Sequence, residues 1–138
     1  LGNVVQAQAV ETASRSSSIA IPALIEIDCD GHRSGLTFDD PTLLDVGRIL
    51  TQGGAALHGV LCHAGGSYGA VGVAAQAKCA EQERLAVVNA AEALRGAGLQ
   101  CPVVSVGSTP TAHAAQDLTV SPKCAQVFMS FLIWLWRA

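Results

Sequence analysis

Short apolar runs punctuate this chain, separated by longer stretches in which apolar residues recur at helical spacing. The first run, residues 23–28 (ALIEID), is entered from Pro22 and closed by Asp30-Gly31-His32, which predicts a buried strand. A second run, residues 57–62, ends at His63-Ala64-Gly65-Gly66-Ser67-Tyr68, a loop too rich in glycine to continue a strand or a helix. The third, residues 102–106, leads into Gly107-Ser108-Thr109-Pro110-Thr111. Between the first two runs, Asp40-Pro41 supplies an N-cap and a proline at the first helical position, and Leu43, Val46 and Leu50 recur until Gly53-Gly54 stops the pattern. Residues 75–97 are good helix formers, with Val87, Ala91 and Leu94 on one face and Glu81/Arg84 and Glu92/Arg95 paired at i, i+3 on the other. Shorter helices are expected at residues 4–13, followed by a turn at 15–18, and at residues 112–117.

This order of strand, helix, strand, helix, strand, helix argues for an α/β fold in which parallel strands, buried on both faces, are joined by crossover helices. The expectation is three adjacent parallel strands with helices on one side, a partial arc of a (β/α)8 TIM barrel. Such a barrel needs eight strands and about 250 residues, so the arc cannot close. Its edges should be open or covered by the terminal segments.

Half of the 138 residues are apolar, enough for one domain with a core. The formal charge of −3, with Lys and Arg scattered singly, provides no basic stripe and excludes nucleic acid as a partner. The cysteines Cys29, Cys62, Cys79, Cys101 and Cys124 form no CxxC pair and read as reduced thiols of a cytoplasmic protein. The N-terminus has neither a basic start nor an apolar core, so it is not a signal peptide, and its first residue, Leu1, points to a missing beginning. The apolar run at residues 127–136 is about half of the roughly 20 residues needed to cross a membrane.

Polar residues gather just after the three strands, at the edge where parallel α/β folds bind ligands. Asp28 and Asp30 read as turn caps or partners for Arg33 rather than as metal ligands. Arg33, between Gly31 and Gly35, offers a planar fork of donors to an anion or a phenolate. His63 is either a hydrogen-bonded core histidine or a site residue. Behind it, Gly65 and Gly66 would let the backbone approach a ligand, and Ser67 and Tyr68 add a hydroxyl and an aromatic face. The run from Gly107 to Thr111 is either a phosphate cradle or ordinary helix capping, and it lacks the lysine of a Walker sequence. His32, His58 and His113 carry no partner pattern and read as surface or packing residues.

Taken together, residues 26–35 (EIDCDGHRSG), 63–68 (HAGGSY) and 104–111 (VSVGSTPT) resemble the D-serine dehydratase/D-threonine aldolase family, related to the alanine racemase N-terminal barrel, in order and spacing. The likeness covers residues 21–119. It implies pyridoxal phosphate at the strand ends of a barrel, a β-rich C-terminal domain carrying zinc or another divalent metal, and a homodimer. Carried over to this sequence, Arg33 would face the cofactor's phenolic oxygen, His63 would lie against its ring and Tyr68 would reach its ring nitrogen. Gly107, Ser108 and Thr109 would hold part of the phosphate.

The chain also departs from the family. The Schiff-base lysine belongs upstream of every segment present, and the lysines here, Lys78 and Lys123, lie on a helix and in the tail. The metal-binding domain is missing. Residues 1–119 therefore read as a partial barrel and residues 120–138 as an anomalous hydrophobic tail. Restoring one base before the codons of the tail permits a reading that contains the family's Arg-Ala-Gly-Val-Tyr segment, so a frameshift is expected there. The implied function is a fragment of a pyridoxal-phosphate-dependent lyase acting on D-amino acids, inactive by itself. The alternative is a non-catalytic α/β phosphate-binding or interaction module.

Overall fold

The computed structural model describes residues 1–117 and the backbone of residues 126–129. Four strands, β1 (Pro22–Ile27), β2 (Ala56–Cys62), β3 (Val103–Val106) and β4 (Gln126–Met129), form one parallel sheet in chain order. Helices α1 (Val4–Ser17), α2 (Thr42–Gln52), α3 (Val73–Gly96) and α4 (Thr109–Ala114) alternate with the strands, and a 3-10 turn spans Gly65–Gly69. The expected strands are present, in the expected order and direction. β4 adds a neighbour to β3 and lies within the predicted tail; the frameshift reading of residues 120–138 otherwise falls outside the described residues.

Strand register explains which side chains form the core. Ile25, Val60 and Val104 are level across β1, β2 and β3, as are Ile27, Cys62 and Val106, and all six are buried. They pack with Val46 and Leu50 of α2 and with Val87, Ala91 and Leu94 of α3, so the amphipathic stripes of the helices meet this face. The alternate row, Glu26, Leu61 and Ser105, points to the other face, where Glu26 and Leu61 are only half-buried. Burial on both faces, expected from the sequence, therefore holds fully for the helix side alone. An arc short of a closed barrel leaves its inner face partly open, and the structure is such a partial barrel arc.

The outer edge of β1 is covered by chain segments: the Glu26 N–H donates to the Leu1 carbonyl, and the Leu36 N–H donates to the Glu26 carbonyl. In β2 the register skips His58, which is exposed, and then brings Gly59 so close to β3 that a β-carbon there would lie 1.9 Å from the Val103 carbonyl oxygen. Gly59 also has φ of 151°, so only glycine fits this seam.

Two helices differ from expectation at their ends. α1 continues through the serine cluster read as a turn, because Ser16 and Ser17 return their hydroxyls to the carbonyls of Thr12 and Ala13, and Ser18 then closes the helix at φ 56°. α4 begins at Thr109 rather than at 112, because Ser108 is its N-cap: Ser108 Oγ accepts from the Thr111 N–H, and Thr111 Oγ1 accepts from the Ser108 N–H. Among the described residues, no helix is long and apolar enough to cross a membrane.

Candidate functional site

The loops that leave β1, β2 and β3 meet at one edge of the sheet, and polar side chains tie each loop to the next. After β1, the Asp28 carboxylate accepts the amides of Asp30 and Gly31, which folds the chain back in a tight turn. Asp30 accepts the His32 amide with one oxygen and the Gly66 amide, at 2.7 Å, with the other, so it joins the first loop to the second. Both aspartates thus serve the turn-capping role. The alternative pairing with Arg33 is not made, and Arg33 has no ion pair among the described residues.

Arg33 is exposed, and its stem lies over the 3-10 turn, 3.0 Å from where a β-carbon on Gly65 would stand. Asp30 and His32 similarly fill the space over Gly66. The two glycines therefore admit the side chains of the neighbouring loop, rather than the ligand expected from the sequence. His63 and Tyr68 stack with ring centroids 5.8 Å apart and planes 18° off parallel, and the Tyr68 face stays 60% exposed.

The third loop is held to the second by a buried network. Ser67 donates to or accepts from Ser108 at 2.7 Å, and Ser108 in turn bonds Thr111. The Ser108 hydroxyl is therefore turned inward as a cap, and of the expected phosphate loop Thr109 is exposed and Gly107 half-buried. Behind this network lies Glu83 of α3, 2% exposed. One of its oxygens accepts the Ala64 N–H at 2.8 Å and, at 3.4 Å, the Gly107 N–H; the other accepts the Thr111 hydroxyl at 2.7 Å. Burial pushes the Glu83 carboxyl above its ordinary range, and the hydrogen bonds from Thr111, Ala64 and Gly107 and the charge of His63 oppose that shift.

Sequence reasoning missed Glu83, although a signal was present. It sits four residues before Val87 on the stripe that continues through Ala91 and Leu94, and a carboxylate on the apolar face of a helix must find buried donors. Of the expected salt bridges on the outer face, Glu81 and Arg84 pair at 2.7 Å, whereas Arg95 donates to the Cys101 carbonyl. His32, His58 and His113 are exposed, as expected. Cys62 is buried at the end of β2, where the Cys29 thiol beside it and desolvation push its own thiol upward, so it stays protonated.

A cavity of about 780 Å³ opens on the other side of the β1 loop, between it and α3, lined by Asp28, Asp30, Gly31, Phe38, Lys78 and Leu85 among others. None of Arg33, His63, Tyr68, Gly107, Ser108 and Thr109 lines it. Lys78, the one lysine among the described residues, lines this cavity.

The rim thus offers a guanidinium without an ion pair among the described residues, an aromatic pair with one open face, and an exposed Thr109 beside half-buried Gly107. Those features suit a planar, anionic cofactor such as pyridoxal phosphate, which needs charge neutralisation, a stacking surface and donors for its phosphate.

Comparison with known proteins agrees with the architecture. Residues 1–121 match the family described as alanine racemase, N-terminal domain. The chain is 56% identical over 117 residues to D-threo-3-hydroxyaspartate dehydratase of Delftia sp. strain HT23, covering 84% of this chain and 31% of that enzyme. It superimposes on the solved structure of that dehydratase with a TM-score of 0.84, over 92% of this chain and 33% of the other. An alanine-racemase-like protein of Idiomarina loihiensis gives a TM-score of 0.81 at 37% identity, over 92% of this chain and 32% of that one. An uncharacterized protein of Mycobacterium tuberculosis is 43% identical over 93 residues, 67% of this chain and 52% of its own length. The chain spans about a third of the dehydratase's length, and by sequence and by fold it belongs to the alanine racemase N-terminal domain family.

Proposed function

We propose that this chain is the middle of a pyridoxal-phosphate-dependent lyase that acts on D-amino acids, of the D-serine dehydratase or D-threonine aldolase type. The observation that carries the proposal is the grouping of Arg33, the His63–Tyr68 stack and the Gly107–Thr109 loop on neighbouring strand ends, in a chain homologous to a D-3-hydroxyaspartate dehydratase. When bound, the cofactor supplies an electron sink for the carbanion left by loss of a proton or by aldol cleavage. Arg33 would neutralise its phenolic oxygen, His63 would buttress the ring face, and Tyr68 would reach its ring nitrogen. Gly107, Ser108 and Thr109 would hold the phosphate, with exposed Thr109 as the open donor, since the hydroxyl of Ser108 is committed to Ser67 and Thr111 and its amide to Thr111.

The residues here bind and orient; they do not supply a covalent link. Lys78 lines the cavity beside α3, which none of the proposed cofactor contacts line, and in this proposal the Schiff-base lysine and the divalent metal belong to other segments of the intact enzyme. In the same proposal, residues 1–119 are the barrel portion and residues 120–138 a frameshifted tail, a division supported by the end of the family match at residue 121. A reducing, cytoplasmic compartment belongs to the same proposal, and what supports it is the odd number and wide spacing of the cysteines, with no CxxC pair.

The test is an absorbance titration of the purified chain with pyridoxal phosphate, followed by borohydride reduction and mass analysis. Weak, reversible binding with no reduced adduct at Lys78 is expected. A stable adduct at Lys78, or no binding at any accessible concentration, would overturn the assignment.

A further inference from the structure

Glu83 is a buried carboxylate that the proposed cofactor contacts do not use, and from α3 it bonds both the second and the third strand-end loops. It accepts the amide of Ala64, the residue after His63, and the hydroxyl of Thr111, which itself closes the cap of Ser108. The Gly107 amide also points to it. Ala64, next to His63, therefore hangs from one oxygen of this carboxylate, which the Gly107 amide also approaches, and Thr111, which closes the cap of the phosphate loop, hangs from the other, on a helix anchored by Val87, Ala91 and Leu94 in the core. A carboxylate spans these donors because each oxygen accepts in its own direction, and an apolar residue of equal size could accept neither.

We propose that Glu83 is a positioning residue that fixes the separation between the ring-binding and the phosphate-binding parts of the site, and so sets the preference for a phosphorylated pyridoxal over an unphosphorylated one. This rests on the reading of the rim as a pyridoxal-phosphate site. Glu83 touches no ligand itself. Its influence passes through Ala64 to His63 and through Thr111 to the loop at Gly107. The buried bridge between Ser67 and Ser108 couples the same two loops, but it joins hydroxyls that can rotate, whereas Glu83 holds a backbone amide from a rigid helix.

The experiment compares the affinities of pyridoxal phosphate and pyridoxal for the full chain and for Glu83→Leu and Glu83→Gln, with melting temperature recorded in parallel. Glutamine keeps an oxygen for the Ala64 amide and can donate to the Thr111 hydroxyl, so it should restore what leucine removes. The expected result is that Glu83→Leu weakens pyridoxal phosphate by about tenfold or more while pyridoxal changes by less than about threefold, and that Glu83→Gln stays within about threefold of the unaltered chain for both. Equal losses for the two ligands, or an unchanged preference with only a lower melting temperature, would overturn the proposal and leave Glu83 a purely structural residue. If Glu83→Leu does not fold, Thr111→Val decides in its place: a selective loss of phosphate preference supports the proposal, and an unchanged preference contradicts it. An unaltered chain that binds neither ligand overturns the reading of the site, and the role of Glu83 with it, which is a different outcome from indifference of the variants.

Discussion

On the helix-covered face of the sheet, Ile25, Val60 and Val104 stand level with one another and are sealed by Val87, Ala91 and Leu94; at the strand ends, the same three strands give way to loops joined by Asp30, Ser67, Ser108 and Glu83. The first region coheres by excluding water from apolar surface, which is strong and indifferent to direction. The second coheres through hydrogen bonds, each weaker in net terms but fixed in direction. A scaffold can be built from the first kind of force alone. A site that must present an arginine, an aromatic face and a phosphate loop at set positions needs the second. Stability should therefore reside chiefly in the covered face, and ligand affinity chiefly in the rim.

Mutations sharpen that contrast. Leu94→Ala, which empties a fully buried position between α3 and the sheet, should cost about 2–5 kcal/mol in urea unfolding, the largest effect expected. Glu83→Leu should follow, since it strands the Ala64 amide, at about 1–3 kcal/mol for a buried group left unpaired, while the Thr111 hydroxyl keeps its bonds to Ser108. A Glu83→Leu protein as stable as the unaltered chain would show that the rim's polar network contributes nothing to folding. Ser67→Ala removes one link between the second and third loops and should cost about 1 kcal/mol.

The pH dependence separates Glu83 from the apolar core. Its folded-state carboxyl is raised, so between its ordinary range and the raised value the folded chain holds more protons than the unfolded one. The contribution of Glu83 to stability is thus fully present below the ordinary carboxylate range and declines as pH climbs through the raised value. Glu83→Gln should flatten that decline, whereas Leu94→Ala should lower stability evenly across the same range. Unfolding measured from acid to neutral pH in both variants checks the difference.

Much of the covered face was legible in the sequence. Pro22, Gly53-Gly54 and Gly98 punctuate apolar runs of strand length, and the stripe of Val87, Ala91 and Leu94 declares its inward side. The rim was legible by location rather than by role. Ser108 and Thr111 read equally as phosphate ligands or as helix caps, and only the fold shows that their hydroxyls close a capping box. Gly65 and Gly66 signalled close approach, but not that the approaching groups are Arg33, His32 and Asp30 from a distant loop. Glu83 was passed over because a charge on a helix is ordinarily solvated, and its donors come from residues 19 and 28 positions away. Long-range partnerships of polar groups carry no periodicity to read.

Arg33→Ala should have the smallest effect on folding, within about 0.5 kcal/mol, because the side chain is exposed and makes no ion pair among the described residues. The same change should weaken pyridoxal phosphate binding, which inverts the ranking seen in the unfolding series.

Amide chemical shifts of the isotope-labelled chain during a pyridoxal phosphate titration put the contrast to its most direct test. Saturable shifts should concentrate at Arg33, His63, Tyr68, Gly107, Ser108 and Thr109, with the core amides of Val60, Val104 and Leu94 unmoved. Shifts centred instead on Phe38, Lys78 and Leu85, in the large cavity beside α3, would contradict the assignment of the rim as the binding site.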